Sequence, residues 1–180
     1  GVASAVLMLV ALYYSPIKVP PEATMGTIQR IFYFHLPQGI YSYVAAWLLG
    51  FGSVMYLVTR DLKWDRFSYC VAELGVLVAS LSLLTGMIWG RPVWNTWWSG
   101  DARSNLQLML ALLFIAYLML RSYLPEREKR ARLSTVFGFL AALDTPFNYM
   151  VTRWVNTLHP QPVLGPGGGG LAPEMYPALY

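Results

Sequence analysis

The sequence predicts an all-α, polytopic integral membrane protein, a helical bundle in one domain spanning residues 1–180. Three observations lead to that class. Apolar residues make up 56% of the chain and charged residues 12%, against about 25% charge in an ordinary soluble domain. The apolar residues gather into runs close to the length of about 20 that a bilayer-crossing helix needs. The basic residues gather into alternate gaps between those runs. The first observation excludes a water-soluble enzyme and a disordered tail. The net charge of +4 is too scattered for a phosphate-binding face, so membrane lipid, not nucleic acid, is the expected surrounding partner.

The runs follow one another in order. Val2 to Tyr14 is apolar but short, and reads as the end of a first span. Leu36 to Val58 is a full span, with Pro37 tolerated in its first turn. Tyr69 to Trp89 is the next, carrying Glu73 near one end. Ala102 to Leu120 follows, and then Leu133 to Val151, interrupted by Asp144 and Pro146. Five spans are thus expected, the first of them truncated. The stretch 160–180, with its run of four glycines from Gly167, reads as an irregular loop ahead of a further helix.

Charge sets the expected orientation. Residues 59–68 hold Arg60, Lys63 and Arg66, and residues 121–132 hold Arg121, Arg127, Lys129, Arg130 and Arg132. These are 8 of the 13 basic residues, so both gaps face the cytoplasm by the positive-inside rule. Residues 15–35, 89–103 and 152–180 then face outward.

That parity bears on the two histidines. His35 and His159 are 124 positions apart, but four crossings separate them, so both lie on the outer side. Two neutral imidazoles on one face are a bis-axial haem site, half of a metal site, or two separately hydrogen-bonded interface residues. The single cysteine, Cys70, excludes a Cys-x-x-Cys-His attachment, so any haem is held non-covalently. The outer segment 89–103 adds Trp89, Trp94, Trp97 and Trp98, four of the seven tryptophans. Trp94, Trp97, Trp98 and Asp101 are spaced i, i+3, i+4, i+7. A helix started by Pro92 would set them on one face as a flat indole shelf for a macrocycle. Arg103 and Arg30 suit the carboxylates of such a ligand. An interfacial aromatic belt accounts for one or two of these tryptophans.

The tryptophan segment resembles the signature loop of the haem-handling (WWD-domain) proteins of cytochrome c maturation, W-G-x-P-x-W-G-x-W-W-x-W-D-x-R. The chain matches it at Trp89, Gly90, Pro92, Trp94, Trp97, Trp98, Asp101 and Arg103, and departs at Asn95 and Gly100. The histidine contexts, Arg30-Ile-Phe-Tyr-Phe-His35-Leu-Pro and Trp154-Val-Asn-Thr-Leu-His159, are similar to those of the haem exporter protein C branch (cytochrome c maturation protein C). The resemblance runs from Arg30 to His159 and implies a six-helix fold, with the sixth helix beyond Tyr180. It implies His35 and His159 as axial ligands of haem b, and the tryptophans as the porphyrin platform. It also implies a haem-transfer protein rather than an enzyme, in the cytoplasmic (inner) membrane with its site on the outer, periplasmic face. Its implied partners are a membrane-anchored haem chaperone (the E component), an ATP-driven transporter of A and B components, and a small D subunit. A b-type haem electron-transfer subunit and a structural transmembrane subunit are the competing classes. Electron relay favours histidines within the span, and neither histidine lies there.

Overall fold

The computed structural model describes residues 1–13, 21 and 25–160. Five α-helices lie within them: α1 (Val2–Tyr13), α2 (Phe32–Thr59), α3 (Leu62–Trp94), α4 (Ala102–Tyr123) and α5 (Arg127–Trp154). A 3₁₀ turn, Thr27–Ile31, leads into α2. Residues 161–180, and residues 14–20 and 22–24 of the expected outer segment, lie outside the described residues.

The helices overrun the apolar stretches at both ends. The gap expected at residues 59–68 narrows to Arg60, with a left-handed φ of 57°, and Asp61, whose carboxylate accepts the Lys63 N–H at 2.8 Å and so caps α3. The gap at 121–132 shrinks to residues 124–126 in the same way. Charge ends an apolar run but not a helix, and a helix keeps every backbone group paired as it leaves the hydrocarbon. With 33 residues, α3 is about 50 Å long against roughly 30 Å of hydrocarbon. Pro37 consequently falls in the second turn of α2, not the first.

Three segments among the described residues are long and apolar enough to cross a membrane: Thr27–Thr59, Leu62–Trp94 and Ala102–Tyr123. That corrects the count of five. The helix α1 has only 12 residues. The helix α5 is long enough, but charge fills its first turns and polar side chains fill its inner face.

The helices α2 and α3 form one antiparallel pair, α4 and α5 another; α2 also packs on α5 and α3 on α4, closing a four-helix ring. Two of the helices wear their pattern inside out. On α3, Leu74, Leu77, Leu81, Leu84 and Ile88 are exposed, while Ala72, Ala79, Ser82 and Trp89 are buried. On α5, Leu140, Leu143 and Phe147 are exposed, while Ser134, Thr135, Asp144, Thr145 and Asn148 are buried. Lipid takes those large apolar side chains, leaving the small and polar residues of α3 and α5 to face the other helices, while Leu49 of α2 and Leu110, Phe114 and Tyr117 of α4 fill the core between them. Asn148 donates to Gln107 Oε1 and Gln107 to Ser42 Oγ, both at 3.2 Å, so one buried chain ties α5, α4 and α2. At the end bearing residues 60–61 and 124–126, Arg121 grips both carboxylate oxygens of Asp65. Arg121, counted above as a loop charge, is therefore buried and paired.

Close approach is bought with glycine. A Cβ on Gly50 would stand 2.6 Å from the Ala142 Cβ, and one on Gly138 would be 3.2 Å from the Leu49 carbonyl. Gly50→Val is expected to cost about 1–3 kcal/mol through overpacking of α2 against α5. Leu48→Val, on the exposed face of the same helix, serves as the control. Thermal unfolding in detergent should rank the wild type and Leu48→Val together, with Gly50→Val well below.

Candidate functional site

Four helix ends and two connecting segments converge opposite the Asp65–Arg121 pair. The start of α2 brings His35, the end of α3 brings Trp89 and Trp94, and the start of α4 brings Arg103. Beyond α5 comes His159. The two imidazoles, 124 positions apart in sequence, have ring centres 6.5 Å apart. They border a cavity of ≈ 340 Å³, also walled by Trp94, Trp97, Trp98, Arg103 and Tyr149, within the usual size range of cofactor and ligand sites.

The tryptophans meet there by a route different from the expected one. No helix starts at Pro92, which lies in the last turn of α3. Asn95 stops that helix with a φ of 55°, and Arg91 secures the stop by donating to the Asn95 carbonyl at 3.0 Å and to its side-chain oxygen. Asn and Gly are the residues that adopt this left-handed geometry most readily. The departure from the motif at Asn95 thus preserves the backbone that a glycine would allow. A second left-handed residue, Gly100 (φ 66°), turns the chain into α4. Between them Thr96 bonds to Trp98 in both directions, its hydroxyl donating to the carbonyl at 2.9 Å and accepting from the N–H at 3.3 Å. Only Trp94 reaches the cavity from a helix; Trp97 and Trp98 reach it from this loop, and Trp97 is 57% exposed.

Trp89 is not part of the wall. It is buried at 4% exposure and backs the site, its ring 5.9 Å from His35 and 5.7 Å from Trp94. Trp94 in turn lies 5.1 Å from His159. Arg103 borders the cavity while donating to the Asn148 carbonyl at 3.0 Å, which pins α4 to α5. Arg30 sits half-buried in the 3₁₀ turn and is not among the residues bordering the cavity.

Asp101 does something the spacing did not reveal. One carboxylate oxygen accepts the Ser104 N–H at 2.8 Å and caps α4. The other accepts the Leu158 N–H at 3.0 Å and stands 3.6 Å from His159 Nδ1, an electrostatic contact beyond hydrogen-bond length. Partial burial works to raise the Asp101 pKa, but the Ser104 and Leu158 bonds and His159 outweigh it and hold the carboxyl below its ordinary value. Burial, and then the nearby Arg103, lower the pKa of His159, with Asp101 opposing. The balance favours the neutral imidazole, the form that binds metals.

Sequence reasoning also missed Ser82, Thr85 and Gly86, which surround the His35 ring. With Trp89 they form an i, i+3, i+4, i+7 stripe on α3, a signal present in the sequence. A Cβ at Gly86 would stand 3.1 Å from His35 Cε1, so the imidazole takes the space a side chain there would need.

The donor set suits a macrocycle better than a bare ion. Among the described residues no group of three or more His, Cys, Asp or Glu gathers to hold a metal. Two imidazoles beside indoles and a guanidinium match a cofactor that brings its own equatorial ligands and carboxylates.

Fold and site together define a helical membrane protein with a paired-histidine, indole-walled cavity at one end of its bundle. The family described as "Heme exporter protein C" matches residues 1–180, and the chain belongs to that family. It is 31% identical over 170 residues to the heme exporter protein C of Bradyrhizobium diazoefficiens, covering 94% of this chain and 64% of that protein. It is 31% identical over 154 residues to that of Haemophilus influenzae, covering 86% and 63%. A putative cytochrome c biosynthesis ccmC-like mitochondrial protein of Marchantia polymorpha is 29% identical over 153 residues, covering 85% and 64%. The chain thus spans just under two thirds of the length of these relatives.

Removing the Asp101 carboxylate should release two segments at once. Asp101→Ala is expected to cost about 1 kcal/mol for the cap alone, and to abolish hydrogen-exchange protection at the Leu158 amide. Asp101→Asn, whose one side-chain oxygen can still cap Ser104 but whose NH2 cannot accept from Leu158, should keep the cap and lose the protection at Leu158. Exchange mass spectrometry of peptides covering 102–106 and 155–160 reads the two effects separately.

Proposed function

We propose that this chain binds haem b non-covalently at the outer face of the cytoplasmic membrane and passes it to a membrane-anchored haem chaperone in cytochrome c maturation. The carrying observation is the convergence of His35 and His159 to 6.5 Å across a cavity walled by Trp94, Trp97 and Trp98. Metal–imidazole bonds are about 2 Å long, so the separation leaves room for one ion between the rings. Haem supplies an iron that accepts two axial imidazoles.

The chain's own residues do the rest. His35 and His159 offer nitrogen lone pairs from opposite ends of the bundle sequence. Trp94 and Trp98 supply flat apolar surface, and Arg103 a fixed positive charge for a carboxylate. Trp97, more than half exposed, gives the site an open edge through which cargo passes to a partner without any covalent bond being made or broken. Asp101 belongs to the site by holding the His159 segment in place. Arg30, half-buried in the turn ahead of α2, supplies a second guanidinium for a carboxylate of the ligand outside the cavity wall.

The partners are proposed on the family's account: the E component as recipient, with the A and B transporter components and the D subunit alongside. The orientation is proposed from the basic ends of the helices, with α5 a further crossing and the histidine end outward. In intact cells, with Cys70→Ser removing the exposed native thiol, cysteines at Lys63 and Lys129 should resist an impermeant thiol reagent. A cysteine at exposed Asn156 should react. Labelling of the first two from outside would reverse the topology.

The ligand assignment is tested by optical and paramagnetic spectra of protein purified with native lipid. Wild type should show a low-spin bis-imidazole signature, and His35→Ala and His159→Ala should each convert it to high spin or lose haem. Retention of the low-spin signature at full occupancy in both variants would sink the assignment.

A further inference from the structure

The His35 ring is held by more than its own helix. Its Nδ1 lies 3.1 Å from the Ser82 carbonyl and 3.1 Å from the Thr85 hydroxyl, both on α3. A threonine hydroxyl has one hydrogen. Thr85 directs that hydrogen to the Leu81 carbonyl at 2.7 Å, with the Ser82 carbonyl at 3.2 Å as a second acceptor on the same side. Toward His35, then, both α3 groups are acceptors. A bare Nδ1 would face two oxygens with no proton between them, so Nδ1 carries the hydrogen and Nε2 keeps its lone pair. Gly86, on the same helix, leaves room for the ring, since a Cβ there would stand 3.1 Å from Cε1 and 3.6 Å from Nδ1.

We propose that Thr85, with the Ser82 carbonyl and the space at Gly86, is a positioning residue that fixes the tautomer and pose of His35 so that Nε2 is presented to the cavity as an electron-pair donor. The presentation to haem rests on the reading above; the tautomer and pose do not. An imidazole whose other nitrogen donates to a backbone carbonyl is oriented before its ligand arrives and is a stronger base toward it. Thr85 therefore adjusts the ligand without touching it. A merely structural threonine, back-bonded to its own helix as many are in membranes, would leave His35 indifferent to its removal.

The chain has only two histidines, which makes the test direct. The full chain, haem-free and labelled with nitrogen-15 histidine, is placed in lipid nanodiscs at mildly alkaline pH, and its imidazole nitrogens are read by NMR; His159→Ala assigns the signals. His35 should show a protonated Nδ1 and a bare Nε2. Thr85→Val, which keeps shape and removes the acceptor, should reduce that tautomer preference by roughly three- to tenfold, the range one hydrogen bond commands. Thr85→Ser should restore it. In haem-loaded protein, Thr85→Val should shift the low-spin paramagnetic signal, and Thr85→Ser should return it. A protonated Nε2 in the wild type, or an unchanged tautomer ratio in Thr85→Val, would overturn the proposal. The low-spin signature surviving His35→Ala would instead remove the ligand reading while leaving the tautomer result of the haem-free protein standing.

Discussion

One carboxylate holds this site together. Asp101 fixes the start of α4 through Ser104 and the backbone of the post-α5 segment through Leu158, and it sets the charge beside His159. Without that clamp His159 would hang from a strand of chain with no other described tie to α4. With it, the ring is set against Trp94 and opposite His35. The arrangement costs little, because a helix N-terminus offers free N–H groups that need an acceptor in any case. The same residue thus caps a helix and places the His159 segment.

The bundle beneath supplies rigidity by means suited to a bilayer. Apolar side chains gain nothing by leaving lipid for one another, so helices are drawn together by close packing at Gly50, Gly75 and Gly138 and by the Ser42–Gln107–Asn148 chain. Gln107 also borders the cavity, so the floor of the site is part of the network that joins three helices. Arg103 continues that network upward through the Asn148 carbonyl.

Much of this was legible in the sequence, for physical reasons. Bilayer thickness imposes run lengths, and these located α2, α3 and α4 to within a few residues of their apolar parts. Crossing parity put His35 and His159 at one end, as found. Helix ends were misjudged because Lys63, Arg66, Arg127 and their neighbours stop hydrophobicity without stopping the hydrogen-bond ladder. The helical tryptophan shelf failed at Asn95, whose left-handed turn breaks a periodicity that looked continuous; the tryptophans converge all the same because the loop folds back. The spacing of Asp101 suggested a ligand-facing residue, whereas its partners Ser104 and Leu158 are visible only in three dimensions. The shell around His35 was available as a Ser82–Thr85–Gly86–Trp89 stripe and went unread, since serines and threonines in apolar helices usually satisfy their own backbone.

The order of parts along the chain has a consequence for biogenesis. His35 is made before α3, α4 and α5, and His159 only after all three. A nascent or truncated chain exposes one imidazole and half a cavity, whatever its helices have already achieved. The cavity is therefore a late product of synthesis as well as a geometry: it takes shape only once the segment after α5 has come back to meet the start of α2.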